Sequence, residues 1–407
     1  MIKIELKKTA NLQRDYYNQI SAVVIARLEN LQIALRYLTI PASIPSRIAN
    51  PKQISHVTRN IVNLLHTSEV PSVKFNSKSY KRTVKFYSPR IRRNPVRLQN
   101  ILDLIDELLD LTNGKLKRLL VGSAYILKSI NTKLEKDHKI IGNTHRKILA
   151  LAFNYKDYKE VSEQIKQFFR NSNLVNYCPY CNQDPAMYSG YSNGTTARVH
   201  QLDHFFDKAS YPLLCYSMFN LVPGDWNCNS INKGTKPFNG RTHLNPYIDG
   251  FGETMKFEPD YDSLSTNMIE IKLTIQPGVS LKRRRQLLGT AMVHDHEADE
   301  GNINVFQLVK KYNDPHVKLE AARVHRKFLD TLNNTSSLHG FLDRLGAGDV
   351  YEEYKFWYEE EIRAPFNSRN FNDQRYSKLF RDLHDFILKN DTQTHNDGLR
   401  DISNDHP

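Results

Sequence analysis

No stretch of the 407 residues approaches the roughly 18 uninterrupted apolar residues that a membrane-spanning helix needs. The opening segment MIKIELKKTANLQRDYY lacks the apolar core of a secretory signal, so a cytoplasmic location is expected. Cysteine is equally scarce, with four residues, all between positions 178 and 228. A secreted disulfide scaffold spreads more cysteines over a smaller chain, whereas a local cluster in a cytosolic protein favours metal binding. Acid is the third shortfall: 44 Asp and Glu stand against 57 Lys and Arg, a net charge of +13. That excess points to a polyanionic partner, nucleic acid before an anionic membrane. Internal repeats and low-complexity blocks are also missing, which excludes solenoids and fibrous arrays.

What is present reads as a globular protein long enough for a large core and two or three domains. Residues 1–170 are expected to be mainly helical and basic. MIKIEL alternates like a short strand, while ISAVVIARLENLQIALRYL and RLQNILDLIDELLDL have helical spacing; the latter puts Leu98, Ile101, Leu102, Ile105, Leu108 and Leu109 on one face. Two more helical stretches follow near 116–135 and 156–170. Residues 71–100 hold nine basic residues and no acid, with Phe75, Tyr80, Phe86 and Tyr87 interleaved. They suit either phosphate contact or a solvated loop or edge hairpin. RNSNLVN at 170–176 is a polar connector. ETMKFEP and NMIEIKLTI alternate like strands, and helices return from 303 in NVFQLVKKYN, VKLEAARVHRKFLDTL, VYEEYKFWYEEEI and YSKLFRDLHDFIL. The run LKRRRQ at 281–286 reads as a helix start.

The central segment carries the chemistry. YCPYC sets Cys178 and Cys181 at the Cys-x2-Cys spacing that lets two thiolates grip one tetrahedral zinc. VHQLDHFFDK alternates like a strand and delivers Asp203 and His204 at its end. NLVPGDWNCNSINKG then supplies Asn220, a turn at Pro223-Gly224, Cys228, and Asn229 on the first turn of a short helix. An Asp-His pair alone is more often a surface turn, and Asn-rich loops are usually just turns. A strand ending in Asp-His, a second strand and a helix opening on an amide together make a compact ββα plan.

Over residues 177–236 this order resembles the HNH, or ββα-metal, endonucleases. The paired-knuckle version of that family reads Cys-x2-Cys, then Asp-His, then Asn-Leu-x-Pro-x-Cys-x2-Cys-His/Asn, then Lys. The separation of Asn220 and Asn229 is that of members whose last motif residue is Asn. The resemblance implies hydrolysis of DNA phosphodiesters to a 5′-phosphate and a 3′-hydroxyl. It casts His204 as general base, Asp203 and Asn229 as ligands of Mg²⁺ or Mn²⁺, Asn220 as holder of the loop that orients His204, and Lys208 and Lys233 as phosphate contacts. Elementary chemistry agrees: such hydrolysis needs an activated water, a cation and stabilisation of the leaving oxygen. A neutral His takes the proton, and carboxylate and amide oxygens suit Mg²⁺ better than zinc. Neighbouring strand residues point opposite ways, so a bend or bulge is expected to turn Asp203 and His204 toward one centre.

The chain departs from the family at the second knuckle, which has one cysteine where two are usual. The position of the missing cysteine holds Asp225, whose carboxylate is an acceptable zinc ligand. Zinc is therefore expected on Cys178, Cys181, Asp225 and Cys228, with Cys215 the substitute if Asp225 points away; Cys215 otherwise reads as a small buried apolar residue. LNPYIDG at 244–250 and FNDQRYSKLFRDL at 371–383 resemble segments of HNH proteins from bacterial phage-defence systems. That resemblance implies an antiviral role and a regulatory partner such as an ATPase encoded nearby. Because HNH domains nick one strand per site, double-strand cleavage implies a homodimer or two encounters.

The expected architecture is α+β and predominantly helical. A helical, basic region (1–170) precedes an HNH ββα-metal module with its zinc knuckle (171–250); strands followed by helices (251–390) and a disordered tail (391–407) complete it. The rival reading is a non-cleaving, zinc-dependent nucleic-acid-binding protein, and a third keeps the nuclease but makes RNA its substrate. MVHDHEADEGN at 292–302 reads as a solvated helix start rather than a second metal site, and His316 likewise as a helix-start residue.

Overall fold

The structure, a computed structural model, describes residues 1–65, 80–92, 97–153, 159–172, 174–192, 195–261, 268–289, 300–333, 350–362 and 364–390. It is α+β and predominantly helical, with two small sheets. Two compact units divide it: Lys7–Ser172 with Asp203–Val222, and Met1–Leu6 with Asn173–Leu202 and Pro223–Pro407. Residues 171–250 are thus shared between the units rather than forming a module of their own.

The first unit is built on α1 (Thr9–Thr39), where Tyr16, Ile20, Val24, Leu28, Leu31, Leu35 and Leu38 recur every three or four residues and are buried. Each such aliphatic side chain contributes about 1.5–3 kcal/mol on burial. Around it pack α2 (Pro51–Leu65), α3 (Tyr80–Arg92), α4 (Leu98–Leu109), α5 (Lys115–Val121) and α8 (Lys159–Ser172), with α6 (Leu127–Asp137) and α7 (Gly142–Ala150) completing the unit. On α4 the expected face is buried at Leu98, Ile101, Leu102, Ile105 and Leu108, joined by Leu104, while Leu109 is half-buried. The single helix expected near 116–135 is two, because the chain turns at Gly122, where a Cβ would sit 2.2 Å from the Arg118 carbonyl oxygen. Of the basic segment 71–100, residues 80–92 are helix rather than loop or hairpin; 71–79 and 93–96 lie outside the described residues.

The loop 203–222 is anchored in this unit. Tyr16 Oη donates to the Tyr216 carbonyl at 2.8 Å, Arg27 donates to the Tyr216 hydroxyl, and Ser217 Oγ donates to the Leu119 carbonyl.

In the second unit, β1 (Met187–Ser192) runs antiparallel to β2 (Thr195–His204), with Met187 opposite His200. With β3 (Leu221–Gly224) they form a sheet of order β1-β2-β3. The chain leaves the second unit inside β2, after Leu202, and re-enters it inside β3, after Val222. The strands expected from ETMKFEP and NMIEIKLTI are the antiparallel pair β4 (Met255–Tyr261) and β5 (Met268–Ile275). After α9 (Leu281–Leu288), NVFQLVKKYN folds as two pieces, α10 (Asn302–Val305) and α11 (Leu308–Tyr312), because Gln307 takes a left-handed φ of 51°. The helices α12 (Pro315–Asn333), α13 (Val350–Trp357, continued by a π-turn) and α14 (Ser377–Asn390) follow.

MIKIEL is not a ladder strand. Ile2 and Ile4 are buried, and their N–H groups donate to the carbonyls of Pro179 and Pro246 at 2.7 and 2.8 Å. Proline has no N–H to return, so the alternation buries side chains without pairing strands. Arg283 of LKRRRQ forks onto the Asp249 carboxylate at 2.7 and 2.9 Å, a structural ion pair. His316 is exposed at the start of α12, its N–H bonded to Asp314. Most of 292–302 and the whole tail 391–407 fall outside the described residues. Among the described residues no helix is long and apolar enough to cross a membrane.

Candidate metal centre and histidine loop

The first knuckle is a closed turn. Tyr177 bridges Pro185, the Cys178 N–H donates to the Asp184 carbonyl at 2.9 Å, and the Asn182 N–H donates to the Cys178 carbonyl at 2.7 Å. Asn182 takes the left-handed conformation the turn needs, at φ 55°, which Asn tolerates better than most residues. Its side chain donates to the carbonyls of Phe371 and Gln374, and Tyr312 Oη donates to the Cys181 carbonyl at 2.6 Å. Tyr180 stacks on Phe306 with centroids 4.3 Å apart. The second knuckle is the start of the π-helical turn Asn227–Lys233, where Asp225 Oδ1 accepts the Cys228 N–H at 2.9 Å and its carbonyl accepts the Asn229 N–H at 3.1 Å.

These two turns bring Cys178, Cys181, Asp225 and Cys228 together: all four are buried and their ligand atoms lie within 4.8 Å of one another. A tetrahedral zinc with bonds of about 2.3 Å has ligand–ligand edges of about 3.8 Å, so three thiolates and a carboxylate so placed fit one ion. Asp225 turns inward, its Oδ2 3.5 Å from Cys181 Sγ. Cys215 is not among the four residues of this group.

Lys311 of α11 reaches the same cluster, its Nζ 3.3 Å from Cys228 Sγ and 3.5 Å from Asp184 Oδ2. Burial pushes the Cys178 and Cys228 thiols well up. Burial opposes ionisation of Cys181 too, but hydrogen bonds from the other two thiols and the nearby ammonium outweigh it and bring that thiol well down. Burial disfavours the Lys311 ammonium, yet the anions of Cys181, Cys228, Asp225 and Asp184 hold it charged. Fully ionised, the three thiolates and the Asp225 carboxylate need a cation, and Lys311 offsets only part of their charge.

Asp203, His204 and Asn220 lie in the first unit. Asp203 and His204 end β2, with Asp203 buried. Asn220 is fully buried and clamps the chain that follows them. Its Oδ1 accepts the Phe206 N–H at 2.7 Å, and its Nδ2 donates to the carbonyls of Phe206 and Leu214, both at 3.0 Å. Its own carbonyl accepts the Phe205 N–H at 2.9 Å. His204 Nε2 lies 3.0 Å from the Cys215 carbonyl oxygen. A carbonyl only accepts, so Nε2 carries the proton and the lone pair of the neutral ring is on Nδ1. The buried Cys215 Sγ is 3.5 Å from the same Nε2.

Asn229 belongs to the second unit, where its Nδ2 donates to Gln201 Oε1 at 3.0 Å. Lys208 is exposed in the loop after His204. Lys233 is buried, 3 % exposed, with its ammonium Nζ over the ring of Phe238, 4.9 Å from the centroid. No family model, curated protein or solved structure matches the chain.

Proposed function

We propose that the chain is a metal-dependent endonuclease of the HNH type, acting on DNA in bacterial antiviral defence, with a zinc ion on Cys178, Cys181, Asp225 and Cys228 stapling its loops. Zinc there would supply folding energy to turns that bury little apolar surface. The observation that carries the nuclease reading is the fixed imidazole: the Cys215 carbonyl holds Nε2, and Asn220 holds the backbone that positions the ring. His204 Nδ1 then takes the proton of the attacking water, which adds in line to phosphorus as the 3′-oxygen leaves. Mg²⁺ or Mn²⁺ bound through the Asp203 carboxylate would neutralise charge growing on the phosphate. Asn229 enters as a second oxygen ligand through the motif alone. Lys208 is placed to approach a phosphate.

Supercoiled plasmid, incubated with Mg²⁺ or Mn²⁺ both alone and with the proteins encoded beside this one, is expected to be nicked or linearised. His204→Ala should lower the rate by about 10²–10⁴. Equal activity in His204→Ala, or intact plasmid under every metal and partner condition, would overturn the reading. A parallel digest of RNA decides the substrate. Linearisation with second-order dependence on protein concentration would indicate a homodimer, and activity gained with a neighbouring ATPase would identify the regulatory partner.

A further inference from the structure

The positive charge of the chain is not evenly spread. Residues 7–172 carry 30 Lys and Arg against 12 Asp and Glu, so this region holds the whole of the net +13 and more. Within it, residues 30–102 hold 13 basic side chains and a single acid, Glu69. The fold gathers part of this run onto two adjoining helices. On α2, Ile54, Val57, Thr58, Ile61, Val62 and Leu65 face the core. On α3, Tyr80, Val84, Tyr87 and Ile91 do the same. The helices are tied by the buried bond between Thr58 Oγ1 and Tyr80 Oη at 2.8 Å.

The opposite faces are basic. Lys52 and His56 are exposed on α2, with Arg59 half-buried beside His56; Lys81, Arg82 and Lys85 are exposed on α3. Neither helix contains an acidic residue. Among the described residues, none of Lys52, Lys81, Arg82 and Lys85 is in an ion pair. A depression of about 310 Å³ reaches from α2 to α7, lined by Leu64, Ala150 and Leu151 together with the donors of Asn60, Asn63 and Lys147.

We infer that the outer faces of α2 and α3 form a surface that grips the phosphate backbone of duplex nucleic acid. The occupant follows from two features. Cations without neighbouring acids complement a polymer with a regular negative charge and release its counterions on contact. An anionic membrane is disfavoured because the apolar side chains of both helices point inward, leaving only Phe86 exposed among the large apolar residues of α3, with no stripe to insert. The choice of nucleic acid rests on the nuclease reading, but the surface itself does not depend on His204.

The test measures the anisotropy of a fluorescent 30-base-pair duplex with the full chain in Ca²⁺, over a series of salt concentrations. Lys81→Gln/Arg82→Gln/Lys85→Gln is compared with Lys133→Gln/Lys136→Gln/Lys139→Gln, which removes the same charge from exposed positions in and just after α6. The α3 variant is expected to bind at least about tenfold more weakly at moderate salt. The slope of log K against log salt should fall by about 0.9 for each phosphate that is no longer neutralised. The α6 variant should stay within about twofold of the parent, with circular dichroism and zinc content unchanged in both. Unchanged affinity in the α3 variant, or an equal loss in both, overturns the surface. So does a loss confined to phosphatidylserine vesicles or to an acidic polypeptide, because the occupant would then be different. A binding loss by the α3 variant of a parent that never cleaves would leave the surface standing and remove the nuclease.

Discussion

Asp225 uses its two oxygens differently. Oδ1 accepts the Cys228 N–H and shapes the turn, while Oδ2 approaches the thiols. Asp225→Asn keeps an acceptor for the turn but loses the anionic ligand, so zinc affinity in a chelator competition should fall more than folding does. Cys228→Ser and Asp225→Ala should both lose zinc, and Cys215→Ser should retain it. Lys311→Met removes the ammonium beside Cys228 and should weaken zinc by about 10–100-fold, as loss of a partner to a metal ligand does. Asn220→Ala strips three buried side-chain hydrogen bonds and should cost about 3 kcal/mol in urea unfolding.

The residues of the metal-competent cluster are legible in sequence because two cysteines with two residues between them and an acid three before a cysteine are local patterns. Lys311 is not, since it comes to Cys228 from 83 residues away on an unremarkable helix. The burial of Lys233 is not legible either, because nothing near it signals the contact of its ammonium with the Phe238 ring.

Most helices are legible where an apolar stripe is long, as on α1, α4 and α12, because burial of one face is a periodic demand on sequence. Breaks are not: Gly122 and Gln307 each interrupt an apolar pattern that continues on both sides, and backbone geometry rather than hydrophobicity decides there. The short α7 escapes a sequence reading because nine residues give too little period.

Packing between α12 and the β4–β5 pair makes a pH prediction at this scale. His325 of α12 stacks on Tyr261 of β4 with centroids 4.8 Å apart, and burial lowers its imidazole to about 4 from the usual 6.5. The unfolded chain takes up this proton as pH falls below about 6.5, whereas the folded chain resists it until about 4. Stability from this contact is therefore complete above pH 6.5 and declines between 6.5 and 4. Partial access to water reduces the loss to about 1–2 kcal/mol. His325→Gln should flatten urea midpoints measured across that window.

At the scale of the whole molecule, the division into units cuts across the order of the sequence. A fragment of residues 7–172 lacks the loop 203–222 that supplies partners to Tyr16, Arg27 and the Leu119 carbonyl. Such a fragment is expected to aggregate or to show a broad, low melting transition in calorimetry. Adding residues 203–222 in the same chain, through a linker, should sharpen it. Salt belongs to this scale too: with most of the charge excess in one region, DNA affinity should fall steeply between about 50 and 200 mM salt.

The placement of the first six residues also has a consequence for biosynthesis. Met1 accepts a bond from Phe251, Ile4 donates to Pro246, and Lys3 accepts the side-chain amide of Asn372 from 369 residues away. This segment is thus made before every partner that seats it. Until those partners emerge from the ribosome, Ile2 and Ile4 lack their native contacts, and the turns that gather Cys178, Cys181, Asp225 and Cys228 are synthesised well before Asn372, the last of these partners. Early capture of zinc would hold those thiols together through that interval and guard them from oxidation.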